Sequence, residues 1–289
     1  MSASSLPASS PQPHWLVRIT GMLPLAVLRA VGALLGRLVY AASPAYRGRL
    51  DANLAQAGYG EAPAVRRRAV AEAGRMVGEL PWIWARPPAE VAGRISCDSL
   101  RVFDEAEAER RGILFLTPHL GGFEATARYC AARRPITVLF RRPKQGWLAA
   151  LVASARSAPG MRAVPIGAAG LRALLRALRS GEAVGLLPDQ VPGAAAGVWA
   201  PFFGRPAFTM SLPERLAAQT GAAVVLAVGE RLPGGRGWRL HLERMHEPPT
   251  PERLNQRLEG LIARLPGQYL WAYNRYKQPA GAVPPPANG

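Results

Sequence analysis

The 289-residue chain predicts an α/β fold: a mixed, mainly parallel sheet flanked by helices, preceded by an amphiphilic N-terminal helix. Three observations carry this. From about residue 110, short apolar runs alternate with helix-period segments, the pattern of a sheet covered by crossover helices. The chain is long enough to bury a substantial core. Residues 15–40 are apolar but interrupted by Arg18, Arg29 and Arg37, which fall within roughly 100° of one another on a helical projection.

In chain order, residues 1–13 are rich in Ser, Ala and Pro and are expected to be disordered. Residues 14–42 form the amphiphilic segment. Its longest uncharged run, residues 19–28, is too short to span a bilayer. A greasy helix with one basic stripe suits the membrane interface, with its arginines at the headgroups. A tilted span, a span bent at Pro24, and a helix packed on the protein's own core are the alternatives. Residues 43–278 form the main domain and 279–289 a flexible Pro-, Ala- and Gly-rich tail. Residues 46–56 read as a polar, basic connection. Residues 64–84 read as a helix that begins near Arg66, Arg67 and Arg68, ends in Leu80, Trp82, Ile83 and Trp84, and stops at Pro87-Pro88. Strands are expected at 113–117, 136–140, 183–187, 222–228 and 238–242. Helices are expected at 123–132, 171–179, 213–219 and 251–265.

The charge balance is strongly basic, 36 Lys and Arg against 19 Asp and Glu, for a net +17. Most of the cations are Arg, whose planar fork suits phosphate and carboxylate partners. Nucleic acid, an anionic membrane or an acidic protein would each fit such a surplus. Cys97 and Cys130 belong to no CxxC pair, and the four histidines show no zinc spacing, so no metal is expected.

Thr117-Pro118-His119-Leu120-Gly121-Gly122-Phe123-Glu124 follows the apolar run 113–116. A histidine at the end of a strand is suited to take a proton near neutral pH. A carboxylate beside it can fix the tautomer and stabilise the imidazolium. On one regular helix His119 and Glu124 would point about 140° apart. They meet only if His119 precedes the helix and Gly121-Gly122 turns the chain sharply. On this reading His119 is a general base and Glu124 its orienting partner.

Other segments add chemistry. Phe140-Arg141-Arg142-Pro143-Lys144 follows the second strand and places cations on the same sheet edge as His119, where open α/β sheets bind ligands. Arg156 and Arg162 extend that patch. Arg172, Arg176 and Arg179 share one helix face, best read as solvent-exposed. Asp189, in Pro188-Asp189-Gln190, is placed to support Arg141 or to bind substrate. Phe202 and Phe203, within 198–206, suit a loop lining an apolar pocket for an acyl chain. Residues 268–277 mix aromatic and basic residues, which fits a membrane-interface belt, and no nucleic-acid module accompanies them.

Taken in order, these segments resemble the late acyltransferases of lipid A biosynthesis, the lauroyl/myristoyl transferase family. The matching pieces are the basic amphiphilic N-terminus, His119-x4-Glu124, Phe140-Arg141-Arg142-Pro143, Pro188-Asp189-Gln190, Pro201-Phe202-Phe203-Gly204, Ala217-x-x-Thr220-Gly221-Ala222, and Gln268-Tyr269-Leu270-Trp271 with Arg275-Tyr276-Lys277. The resemblance implies a lysophospholipid-acyltransferase-like fold at the cytoplasmic face of a bacterial inner membrane. It implies transfer of a fatty acyl group from acyl carrier protein, as co-substrate and without a further cofactor, to a hydroxyl of a lipid A precursor. His119 and Glu124 map to the family's base and acidic partner, Arg141 to the arginine after the second strand, and Asp189 to the acid of the Pro-Asp motif. Backbone amides near Gly121 and Gly122, or Arg141, are the expected oxyanion donors, and Arg142, Phe202 and Phe203 complete the expected substrate contacts. Phe140, Gln145 and Val191 depart from common family residues, which bears on chain length and acceptor more than on reaction. Acylation of a lysophospholipid or another glycolipid is the neighbouring alternative. An inactive membrane-binding interaction protein is the alternative of another class.

Overall fold

The computed structural model describes residues 15–140, 152, 156 and 158–285. The disordered segment expected at 1–13, and Arg141 and Arg142, lie outside the described residues.

The core is a seven-stranded mixed sheet in the order β1-β9-β8-β2-β5-β3-β4. The strands are β1 (Ile95–Cys97), β2 (Ile113–Leu116), β3 (Ile136–Phe140), β4 (Met161–Pro165), β5 (Ala183–Leu186), β8 (Ala223–Arg231) and β9 (Trp238–Met245). β2, β3, β4, β5 and β8 are mutually parallel, while β9 runs antiparallel to β8 and carries β1 parallel to itself. All five expected strands are present. Helices α8 (Phe123–Arg133), α9 (Ala168–Arg179), α10 (Leu212–Thr220) and α11 (Pro251–Arg264) fall where helical periodicity placed them, and α7 (Leu100–Ala108) is an addition. β2 is buried along its whole length, as a central parallel strand covered on both faces must be.

Three readings change. Residues 46–56 are not a connection but helix α3 (Pro44–Gln56), started by Ser43, whose side chain accepts the Tyr46 amide, with Pro44 at the first helical position. The loop around 198–206 is a two-stranded hairpin, β6 (Gly197–Phe202) and β7 (Arg205–Met210). Its two-residue turn, Phe203-Gly204, has φ of +48° and +72°, the left-handed pair that matches strand twist. The segment 64–84 breaks into α4 (Pro63–Gly78) and α5 (Leu80–Trp84).

The N-terminal segment forms α1 (Trp15–Gly21) and α2 (Leu25–Ala42), bent at Pro24. Arg18 and Arg37 are exposed, but Arg29 is not part of a headgroup stripe. It is buried, with Nε 2.9 Å from Glu79, and it donates to the Leu232 and Gly237 carbonyls. α6 (Pro88–Ala92) links this layer to β1. In the C-terminal tail the Trp199 indole donates to the Val283 carbonyl at 2.7 Å.

Candidate active site

The site forms where β2 and β5, neighbours in the sheet, end together. Leu116 pairs with Leu186, and the Thr117 amide donates to the Leu186 carbonyl. His119 and Asp189 therefore stand at the same offset beyond their strands, on the carboxyl edge where α/β sheets bind ligands. The Asp189 carboxylate bridges His119: Oδ1 lies 2.8 Å from ring Nδ1, and Oδ2 accepts the His119 amide at 2.9 Å. The carboxylate on Nδ1 fixes the proton there and leaves the Nε2 lone pair facing outward. That lone pair accepts from the Gln190 side-chain amide at 3.1 Å. Burial pushes the Asp189 carboxyl up, but the His119 imidazole and its hydrogen bonds hold it below the usual carboxylate range. The buried Tyr269 phenol beside it is pushed well above its ordinary value, by burial first and then by the Asp189 charge.

This corrects the expected pairing. Glu124 is not the partner of His119. It sits in the first turn of α8, beyond the Gly121-Gly122 turn, and its hydrogen bonds go to other residues. Its Oε1 takes the Arg156 guanidinium through Nε at 2.9 Å and through Nη2, and its Oε2 accepts the Trp84 indole at 3.4 Å. Spacing along the chain suggested one pair. The fold makes two: a His119–Asp189 pair and a Glu124–Arg156 pair.

The two glycines serve close packing. Gly121 has φ +61°, and a Cβ there would lie 2.1 Å from the Gly229 carbonyl oxygen; one on Gly122 would lie 2.2 Å from the Trp238 indole nitrogen. Their amides are also spent: Gly121 N–H donates to Gln268 O at 3.1 Å and Gly122 N–H to Gly229 O at 2.7 Å. Neither is free to receive an oxyanion. The Gly121 carbonyl accepts from Arg231 at 3.0 Å, and Arg231 in turn is held by Glu79 and Glu72.

Phe202 and Phe203 stand at the turn end of the β6–β7 hairpin. They pack on each other, with Tyr276 against Phe202 and Trp271 against Phe203. Among the described residues, an apolar cavity lies between α8 and the sheet. It is lined by Phe115, Phe123, Cys130, Ile136, Val138 and Met161, with Glu124 and Arg156 also on its wall. A second, larger groove contains His119, Gln190 and Leu212. The two share Leu139, Arg156, Leu186 and Leu187. An apolar slot and a larger groove thus meet at a guanidinium, with His119 on the wall of the groove.

Gln190, Trp84 and Tyr269 gained no individual role from sequence. The signal available for Asp189 was its place just after an apolar strand. What was missing was the knowledge that this strand neighbours the histidine's.

Comparison with known proteins places the sequence in a family. The family model described as bacterial lipid A biosynthesis acyltransferase matches residues 14–278. A lipid A biosynthesis palmitoleoyltransferase of Escherichia coli (strain K12) is 29% identical over 230 residues, covering 75% of this chain and 74% of the relative. A lipid A biosynthesis lauroyltransferase of the same organism is 28% identical over 222 residues, covering 73% and 70%. A lipid A biosynthesis acyltransferase of Shigella flexneri is 29% identical over 230 residues, again covering 75% and 74%. With a strand-end imidazole, a buried acid and an apolar slot in place across the matched span, the chain belongs to the bacterial lipid A biosynthesis acyltransferases.

Proposed function

We propose that this O-acyltransferase moves a fatty acyl group from the thioester of acyl carrier protein to a hydroxyl of a lipid A precursor, with His119 as general base and Asp189 as its orienting acid. The observation that carries the reading is the bridging of His119 by Asp189 at 2.8 and 2.9 Å, with Nε2 turned to the groove.

The acceptor hydroxyl displaces the Gln190 amide and gives its proton to Nε2. Its oxygen attacks the thioester carbon. The Asp189 carboxylate stabilises the imidazolium that forms. The Arg156 guanidinium, held by Glu124 where slot and groove join, faces the developing oxyanion. Collapse breaks the C–S bond, the imidazolium returns its proton to the leaving thiolate, and ester and free carrier thiol result. The apolar slot takes the acyl chain of the donor. Glu124 remains part of the machinery, acting through Arg156 instead of His119. The basic surface suits an acidic carrier protein and an acceptor bearing phosphates, at the cytoplasmic face of the inner membrane.

The test is transfer of a labelled acyl chain from acyl carrier protein to a lipid A precursor by the purified protein and by His119→Ala. Loss of transfer with the fold intact is expected; near-normal transfer by the variant rules out the base role. Preference for a lysophospholipid acceptor in direct competition would assign the neighbouring reaction instead.

A further inference from the structure

By length and composition alone α2 would cross a membrane: 18 residues with a mean hydropathy of 1.6. Its surroundings argue otherwise. One face, Leu25, Leu28, Arg29, Gly32, Ala33 and Gly36, is buried against the protein's own α4 layer. The contact is backbone on backbone. Gly32 and Gly36 on α2 meet Gly74 and Gly78 on α4, two small-x-x-x-small pairs facing each other. A Cβ on Gly32 would lie 2.4 Å from the Gly74 carbonyl oxygen, and one on Gly78 would lie 2.5 Å from that of Leu28. The helices therefore run side by side, antiparallel, from Leu28 beside Gly78 to Gly36 beside Val70.

α4 carries Arg66, Arg67, Arg68, Glu72 and Arg75, and Arg67 and Arg68 are exposed. A spanning α2 would drag this charged neighbour into hydrocarbon, which is strongly disfavoured. It would also carry in Arg29, whose ion pair with Glu79 ties α2 to the domain. The opposite face is apolar and open. Ile19, Met22, Val27, Val31, Leu34 and Leu38 are 45–79% exposed, along both α1 and α2. The charge on these helices has one sign: the chain holds no Asp or Glu before Asp51, and Arg18, Arg37 and Arg49 are exposed, while the nearby carboxylates are engaged, Asp51 by Tyr40 and Glu90 by Arg86. The inner side of α1 packs on α5, whose Trp84 donates to Glu124, so the helix pair is linked to the active site through α5.

We propose that α1 and α2 are an in-plane anchor, with their outer apolar face sunk in the interfacial zone of an anionic lipid surface and no segment of either helix crossing it. The proposal deepens the functional reading, since a lipid acceptor would reach the groove from the same surface.

Depth-resolved quenching tests it without any turnover, so a failure of the enzymatic reading would not disturb the result. In a Cys97→Ser background, Ile19→Cys, Val31→Cys and Leu38→Cys are each labelled with bimane. Each is bound to phosphatidylethanolamine/phosphatidylglycerol vesicles containing lipids brominated either near the headgroup or near the chain ends. Stronger quenching by the shallow bromines at all three positions is expected. Strongest quenching of the Val31 site by the deep bromines would overturn the proposal in favour of a span. Absence of quenching would overturn it in favour of a protein occupant. Val31→Glu with Leu35→Glu should lower vesicle co-flotation at least ten-fold, and unchanged co-flotation of that variant would also overturn it.

Discussion

Asp189 grips His119 at two points, the ring nitrogen Nδ1 and the backbone amide, with one carboxylate oxygen on each. Ring orientation and tautomer are therefore set by one side chain that is 2% exposed. Replacing the carboxylate by its amide keeps the shape but removes the charge facing the imidazolium. Asp189→Asn is expected to lower kcat by about 10³–10⁴, the scale seen when a triad acid is neutralised, with KM for the donor little changed. Steady-state kinetics on protein with a wild-type circular dichroism spectrum checks this. A kcat within a few-fold of wild type would leave Asp189 with a structural role only.

Much of the frame was legible because burial writes itself into sequence. The runs at 113–116 and 223–228 are apolar on both faces, as central parallel strands demand. The hairpin was hidden by Pro201 and Pro206, which read as loop residues. They are cross-strand partners one step from the two-residue turn, a non-hydrogen-bonded pair at which proline loses no ladder donor. Helix α3 was hidden by its scant apolar content; only Leu50 and Leu54 are buried. At the site, His119 was legible from its place at a strand end. Its partner was not, because strand adjacency is a long-range property. Glu124 was nearer in sequence and Asp189 nearer in space.

The Glu124–Arg156 pair predicts strong coupling. Arg156 faces both the slot and the groove, and Glu124, 5% exposed, holds it there through two hydrogen bonds. Glu124→Gln and Arg156→Met should each reduce kcat by about 10²–10³, the cost of losing one oxyanion donor. Their combination should be no worse than the more severe single change, since the two act as a unit. A double-mutant cycle on kcat reads this directly, and strictly multiplicative losses would separate the two residues. Arg156→Lys should recover only part of the activity, because an ammonium cannot reproduce the fork.

Chain length should respond to the wall of the slot. Gly185 lines it, and a Cβ there would already lie 3.1 Å from Val138 and 3.3 Å from Ile136. Gly185→Val fills volume without touching His119 or Asp189. The expected result is a shift of donor preference toward chains shorter by about two to four carbons, at about 0.8 kcal/mol per excluded methylene, with kcat retained for the shorter donor. Competition between acyl carrier proteins of graded chain length measures it. An unchanged preference would place the acyl chain elsewhere.

Acid stability should trace to Glu79 and, in smaller part, to Asp189. Glu79 accepts Arg29 Nε at 2.9 Å and two Arg231 nitrogens at 2.8 Å, and the Trp238 indole approaches at 3.4 Å. Burial pushes this carboxyl up, yet the guanidinium groups of Arg231 and Arg29 hold it below the usual range. A carboxyl depressed in the folded state contributes its full stability above the unfolded value, about 4, and loses it as pH falls through the folded one. Unfolding free energy should therefore be nearly flat from about pH 7 to about pH 5 and fall below about pH 4. Glu79→Gln leaves the buried Arg29 without a carboxylate and Arg231 with Glu72 alone, and should cost about 3–5 kcal/mol at neutral pH, with the gap from wild type narrowing in acid. Because Arg231 also holds the Gly121 carbonyl at 3.0 Å, the variant should lose at least about ten-fold in kcat per folded molecule, an effect of order 1.4 kcal/mol on the barrier. Urea titrations at pH 7 and pH 3.5, paired with activity normalised to the folded fraction, decide it. A variant with wild-type stability at neutral pH and the same acid limb would show that the cluster neither braces the domain nor holds the turn beneath His119.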